Sequence, residues 1–252
     1  MQRWASWALI ALVCAGCDSA ASAAAQAPVP AGPGEGVLFV GNSLTFANDL
    51  PTLVQSLGTA VGHPLPTAMV AKPDYALGDH LSQGDAERSI ATGGWRVVVL
   101  QQGPSSLDES RVLLRRWTVT FDQRIRAVGA RTALFSVWAE STRTLAFWDV
   151  AESYSLAAQD VGGIYLPATQ AWLEAWNRDP SLKLYAADGY HPSQQGTYLS
   201  ALVIAGVLTG VSPDAMPSRI PFASGGELVI PEPAATVLRA AATAAVSSSA
   251  RP

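Results

Sequence analysis

Residues 37–45 read Val37-Leu38-Phe39-Val40-Gly41-Asn42-Ser43-Leu44-Thr45. An unbroken apolar run suits a strand buried on both faces, because a strand with one wet face alternates apolar and polar residues. The run stops at Gly41, and a serine follows two residues later. A serine just after a buried strand presents its hydroxyl at the sheet rim. Its backbone N–H begins the turn toward the next helix, ready to donate to an oxyanion. An ordinary serine in a turn or helix cap gives the same local pattern.

Working outward, four more apolar runs are strand candidates: residues 68–71, 97–100, 132–138 and 164–166. Between and after them, helical spacing covers residues 50–61, 108–128, 145–161, 193–208 and 234–246. Three of these end against glycines that suit a helix C-terminus: Gly129, Gly162 and Gly210. Trp172 and Trp176, four residues apart, read as one packed helix face. Strands alternating with helices imply an α/β chain with a parallel sheet. The expected architecture is a three-layer αβα sandwich around roughly five strands. Sites in such sheets form at the carboxyl ends of the strands.

The 252 residues are 49% hydrophobic and 14% charged, with a formal net charge of −4. No basic field exists to hold nucleic acid. The two cysteines are Cys14 and Cys17, which excludes a disulfide scaffold, a Cys-rich zinc module and a thiol nucleophile in the folded domain. Residues 1–16 have one Arg, an apolar run and then small residues, the pattern of an export signal too short to span a membrane. Ala15-Gly16-Cys17 resembles a bacterial lipobox, with Cys14 where a leucine is usual. It implies lipidation of Cys17 and a place in the cell envelope or periplasm; plain secretion is the alternative. Residues 17–36 read as a flexible tether, 37–246 as the domain and 247–252 as a tail.

Only three histidines occur: His63, His80 and His191. His191 lies in Asp188-Gly189-Tyr190-His191-Pro192-Ser193, where a carboxylate three residues away can orient the imidazole. His63 beside Pro64 reads as exposed, and His80 as structural or a substrate contact. Trp138 reads either as packing or as part of a cleft. Arg111, Arg115, Arg116, Arg124 and Arg126 read as a solvated helix face.

The Gly41-Asn42-Ser43 block after the first strand and the Asp188–His191 block before a late helix together resemble the SGNH (GDSL-like) hydrolase superfamily. The resemblance runs from Val37 to about Gly210. It implies a flavodoxin-like fold with Ser43 as nucleophile, His191 as base and Asp188 as orienter, with no cofactor and no metal. Where the family offers a glycine N–H to the oxyanion, this chain has Lys72-Pro73-Asp74-Tyr75, so the matching donor is the Asp74 N–H. Where the family has an asparagine donor, this chain has Gln101-Gln102. A Gln amide can make the same donation. Adjacent strand residues face opposite sides, so one of the two reaches the site, and the sequence leaves open which.

The implied activity is that of a serine esterase working through an acyl-enzyme. The expected substrate is a small ester or an acetylated glycan. A lipolytic esterase or thioesterase, or a noncatalytic envelope binding protein that keeps the fold, are the alternatives.

Overall fold

The computed structural model describes residues 34–223 and 225–249. The expected signal segment, Cys17 and all but the last residues of the tether lie outside them. Five parallel strands form the central sheet: β1 (Gly36–Gly41), β2 (Thr67–Ala71), β3 (Trp95–Leu100), β4 (Arg131–Phe135) and β5 (Ile164–Leu166). Their order is β2-β1-β3-β4-β5. Val37 to Val40 and Val97 to Leu100 are buried throughout, as unbroken apolar runs require. β2 is an edge strand with Met69 41% exposed, which explains its weaker apolar signal. β4 is shorter than expected. The chain leaves the sheet at Ser136, and Val137 and Trp138 are buried as loop residues.

Helices α2 (Leu50–Ala60), α7 (Ala168–Arg178), α8 (Gln194–Thr209) and α9 (Glu232–Ser249) pack together as one outer layer. The other layer groups α3 (Leu77–Gln83), α4 (Asp85–Ala91), α5 (Asp108–Ala127) and α6 (Phe147–Asp160). Every residue of α8 from Gly196 to Thr209 is buried. A helix apolar on all sides belongs inside a core, and α8 lies against α2, α7 and α9. Trp172 is buried and Trp176 half-buried, so their four-residue spacing marks packing.

The α5 arginines are not simply a solvated face. Arg111 and Arg115 pair with Glu152 and Asp160 of α6 at 2.8 and 2.6 Å, and Arg124 pairs with Glu87 of α4. Arg126 pairs with Asp122 within α5, and Arg116 lies over the Trp117 ring at 4.8 Å. Two helices and a hairpin of two strands were not anticipated. α3 and α4 flank Gly84, and a small antiparallel hairpin joins β6 (Arg219–Pro221) and β7 (Glu227–Val229). α9 continues to Ser249, so residues 247–249 of the expected tail are helical. Among the described residues, no helix is long and apolar enough to cross a membrane.

β1 stands between β2 and β3 in the sheet, so the loops leaving β1 and β3 open a crevice at their carboxyl ends. Ser43 and both glutamines lie in those loops.

Candidate active site

Ser43 is the first residue of a single helical turn, α1 (Ser43–Phe46), and is half-buried. At that position the helix supplies no acceptor for its N–H. Asn42 caps the turn: its Oδ1 accepts from Leu44 N at 3.1 Å, and its Nδ2 donates to Tyr75 O at 3.0 Å. Gln101 braces the turn from β3. Its Oε1 accepts from Asn42 N at 2.9 Å and from Thr45 Oγ1 at 2.7 Å, and its Nε2 donates to Asn42 Oδ1 at 2.9 Å. Gly41 makes room for this brace. A Cβ there would sit 2.4 Å from both Gln101 Oε1 and Thr45 Oγ1.

The second half of the site is the loop before α8. Asp188 Oδ1 accepts from the N–H groups of Tyr190 and His191, both at 2.9 Å. Its Oδ2 lies 2.6 Å from His191 Nδ1. The His191 bond, with the two backbone donors, holds the Asp188 carboxyl down at about 2. With Nδ1 held by a carboxylate, Nε2 is the nitrogen left to take a proton. Trp138 Nε1 donates to Tyr190 O at 2.8 Å, and Ser141 N donates to Gly189 O at 2.9 Å. The Trp138 ring is fully buried and stacks on Trp172 at 3.9 Å, so Trp138 is packing that carries the histidine loop.

Asn48, two residues after α1, joins the two halves. Its Nδ2 donates to Pro192 O and to Thr197 Oγ1, each at 2.9 Å. Asn48 and Asp49 have φ of 51° and 53°, Asp74 61° and Ser105 54°. Among the described residues these are the non-glycine positions with positive φ; Asn48 and Asp49 lie in a 3-10 turn between α1 and α2, and Asp74 and Ser105 in the loops after β2 and β3. Backbone held in sparsely populated regions gathers at functional sites. Asp74 adopts the conformation that glycine favours, at the position where the family resemblance implies a glycine.

The two glutamines face different ways. Gln101 is buried, and both ends of its amide are committed to the serine turn. Gln102 borders a cavity of about 400 Å³ together with Asn42, Asp74, Tyr75 and Tyr190. Its Nε2 donates to Ser105 Oγ at 2.9 Å. Tyr154, buried in α6, fixes this loop by accepting from Gln102 N at 3.0 Å and donating to Gln102 O at 2.5 Å. Burial pushes the Tyr154 phenol far up, and it pushes the half-buried Tyr190 up as well. A larger cavity of about 550 Å³ near Gly162, Gly163 and Ser248 contains no carboxylate, histidine or basic side chain. Among the described residues, no group of three His, Cys, Asp or Glu side chains converges as metal ligands would.

Sequence reading missed Asn48, Tyr154 and the bracing role of Gln101. Asn48 left one local trace, an Asn-Asp pair before Leu50-Pro51, because such residues tolerate left-handed backbone. Tyr154 and Gln101 left none, since their roles depend on partners more than 50 residues away.

No family model matches this sequence, and no curated protein matches it. Solved structures do. A candidate SGNH hydrolase from Slackia heliotrinireducens is 25% identical, covering 69% of this chain and 99% of its own, with a TM-score of 0.60. A DUF4886 family protein from Bacteroides uniformis is 18% identical over 84% of this chain and 94% of its own, with a TM-score of 0.65. A catalytic mutant of an acetylxylan esterase from Geobacillus stearothermophilus is 16% identical over 70% of this chain and 93% of its own, at a TM-score of 0.51. With these likenesses, the β2-β1-β3-β4-β5 sheet, the serine turn after β1 and the Asp–His loop before α8, the chain belongs with the SGNH (GDSL-like) hydrolases, a superfamily of serine ester hydrolases.

Proposed function

We propose that the protein hydrolyses a short-chain ester, an acetyl group above all, carried on a carbohydrate. The observation that carries the reading is the 2.6 Å contact between His191 Nδ1 and Asp188 Oδ2, in a loop strapped by Asn48 to the serine turn. Ser43 Oγ attacks the ester carbonyl carbon while His191 Nε2 takes its proton. The resulting oxyanion is met by the N–H groups of Ser43 and Asp74 and by the Gln102 amide, which borders the cavity as Gln101 does not and turns to the oxyanion from Ser105 Oγ and Ser110 O. The tetrahedral intermediate collapses, the C–O bond breaks, and the alcohol leaves with the proton from His191. Water then attacks the acyl-enzyme, giving its proton to His191; the acyl bond to Ser43 Oγ breaks as His191 returns that proton to the serine oxygen, and the carboxylic acid departs.

The substrate class rests on the crevice. Asp74, Gln102, Ser105 and Ser110 stand among its walls with Tyr75, Tyr190 and Trp117. Ala76, Pro104 and Leu113 complete the walls, so the sugar reading leans on the carboxylate and the aromatic rings, which suit the hydroxyls and C–H faces of a sugar. One structural neighbour is named as an acetylxylan esterase, which supports an acetylated polysaccharide as the natural ester. The same proposal has the enzyme exported and tethered through Cys17; metabolic labelling with palmitate reads that directly.

The test is a panel of p-nitrophenyl esters from acetate to palmitate, run on the wild type and on Ser43→Ala. Turnover should be highest on acetate, and Ser43→Ala should lose both turnover and labelling by a fluorophosphonate probe. Activity retained by Ser43→Ala overturns the nucleophile; a preference for palmitate overturns the short-chain reading.

A further inference from the structure

His80 is a histidine with no solvent exposure, and it touches the strand end that delivers Ser43. Its Nε2 lies 2.8 Å from Gly41 O, and its Nδ1 lies 3.1 Å from Asp85 Oδ1. The other Asp85 oxygen is 2.7 Å from Lys72 Nζ. Tyr75 packs edge-on against the imidazole at 5.0 Å, and the Lys72 ammonium sits 5.1 Å from the centre of the same Tyr75 ring. Asp85 from α4, with Lys72 and Tyr75 from the segment after β2, are the titratable groups gathered around the ring among the described residues.

Hydrogen-bond accounting fixes the state of this ring. A carbonyl oxygen only accepts, so Nε2 must donate to Gly41. An ionised carboxylate also only accepts, so Nδ1 must donate to Asp85. A neutral imidazole carries one N–H and would leave a lone pair facing one of the two oxygens. The Lys72 ammonium 2.7 Å from Oδ2 and the Ala86 N–H donating to Oδ1 at 2.8 Å favour the ionised Asp85 carboxylate against burial, independently of His80.

The contact at Gly41 leads directly into the catalytic turn. The peptide that carries the Gly41 carbonyl also carries the Asn42 N–H, which donates to Gln101. Gln101 returns a bond to Asn42 Oδ1, and that oxygen caps the Ser43 turn through Leu44 N. Hydrogen bonds in series polarise and stiffen one another in a low-dielectric interior. We propose that His80 is a buried imidazolium, held by Asp85 and Lys72, that positions the Gly41–Asn42–Ser43 turn through the Gly41 carbonyl. It is a positioning residue and makes no contact with substrate. The kinetic part of this inference rests on the hydrolase reading above, whereas the charge of the ring does not.

The charge is read by nitrogen-15 NMR of the uniformly labelled wild type at pH 7.5. With three histidines in the chain, the His80 ring is assigned by comparison with His80→Gln. Two protonated ring nitrogens, with N–H signals slow to exchange, are expected. A single protonated nitrogen overturns the proposal whether or not the protein proves to be an esterase. The positioning role is read in Asp85→Asn, His80→Gln and His80→Ala on p-nitrophenyl acetate. Asp85→Asn keeps an oxygen toward the ring but removes its charge. It should lower kcat on the order of 10-fold, because small misplacements of a reacting group are costly, with KM within about twofold. His80→Gln keeps an N–H for Gly41 and should recover part of the kcat that His80→Ala loses. Wild-type kcat in Asp85→Asn, or equal kcat in His80→Gln and His80→Ala, overturns the positioning role.

Discussion

Asn48 offers the sharpest test of how the site is held together. Replacing it with alanine removes two hydrogen bonds, to Pro192 O and Thr197 Oγ1, each 2.9 Å in length. A net hydrogen bond contributes about 0.5–1.5 kcal/mol. Asn48 is exposed, so water can replace part of what is lost, and the pair should contribute about 1–2 kcal/mol. The backbone adds to this. At φ of 51° an alanine Cβ meets the left-handed penalty that asparagine offsets by local bonding, about 1 kcal/mol more. Asn48→Ala should therefore destabilise the fold by about 2–3 kcal/mol, lowering Tm by about 4–12 °C for a domain of this size. Asn48→Gly loses the same two bonds without the backbone penalty, so it should retain about 1 kcal/mol of the difference.

The kinetic consequence separates the strap from simple stability. Asn48 ties the serine segment to the histidine loop, so kcat on p-nitrophenyl acetate should fall on the order of 10–100-fold in both variants, measured well below their melting points. Thermal melts followed by circular dichroism, with kinetics at 20 °C, give both numbers. If Asn48→Gly restores kcat fully, backbone strain explains the alanine variant and the strap has no catalytic role. If Asn48→Ala matches the wild type in Tm and kcat, the reasoning from these bonds is wrong.

Two further outcomes follow from the charges. Asp188→Asn should lower kcat about 10²–10⁴-fold by allowing the wrong His191 tautomer, while binding of substrate, read in KM, changes little. Because His191 holds Asp188 at about 2, any acid limb of the activity profile above pH 4 must come from another group; a carbon-13 NMR titration placing the Asp188 carboxyl above pH 4 would contradict this. In thermal stability, Asp85 and Asp188 both have depressed carboxyls near 2. Their contribution is complete above the ordinary carboxylate range of about 3.9 and fades as pH falls toward about 2. Asp188 is half exposed and screened by solvent, so Asp85 should dominate. Tm should fall between pH 4 and pH 2.5, and an unchanged Tm across that interval would refute the sign.

The strands were legible because a strand buried on both faces has little choice of residues. Val37–Val40 and Val97–Leu100 show this plainly. The same signal overreached at Val137 and Trp138, because apolar content reports burial rather than sheet pairing. β6 and β7 escaped notice because each has three residues and one buried side chain, Ile220 or Leu228. α3 and α4 are seven residues each and broken by Gly84, too short for a helical period to stand out. At the site, Ser43, Asp188 and His191 are legible because each lies in a short contiguous motif. Gln101 is not, because residue type alone does not say whether an amide faces a cavity or braces a turn. His80 could not be assigned from sequence, because its partners Gly41 and Asp85 come from other elements of the chain.

The strap from Asn48 to Pro192 spans 144 residues of sequence. During synthesis the serine turn is made early, while the imidazole arrives on the loop that leads into α8, a helix enclosed on all sides. Such a helix has no stable exposed form of its own, so it is withdrawn from water only when most of the domain is already in place. The segment after the serine turn and the histidine loop are therefore joined as one of the last events of folding. A chain cut short anywhere before residue 209 carries the serine turn without a seated Asp188–His191 loop. Hydrolysis, where it is observed, reports that the domain has been completed.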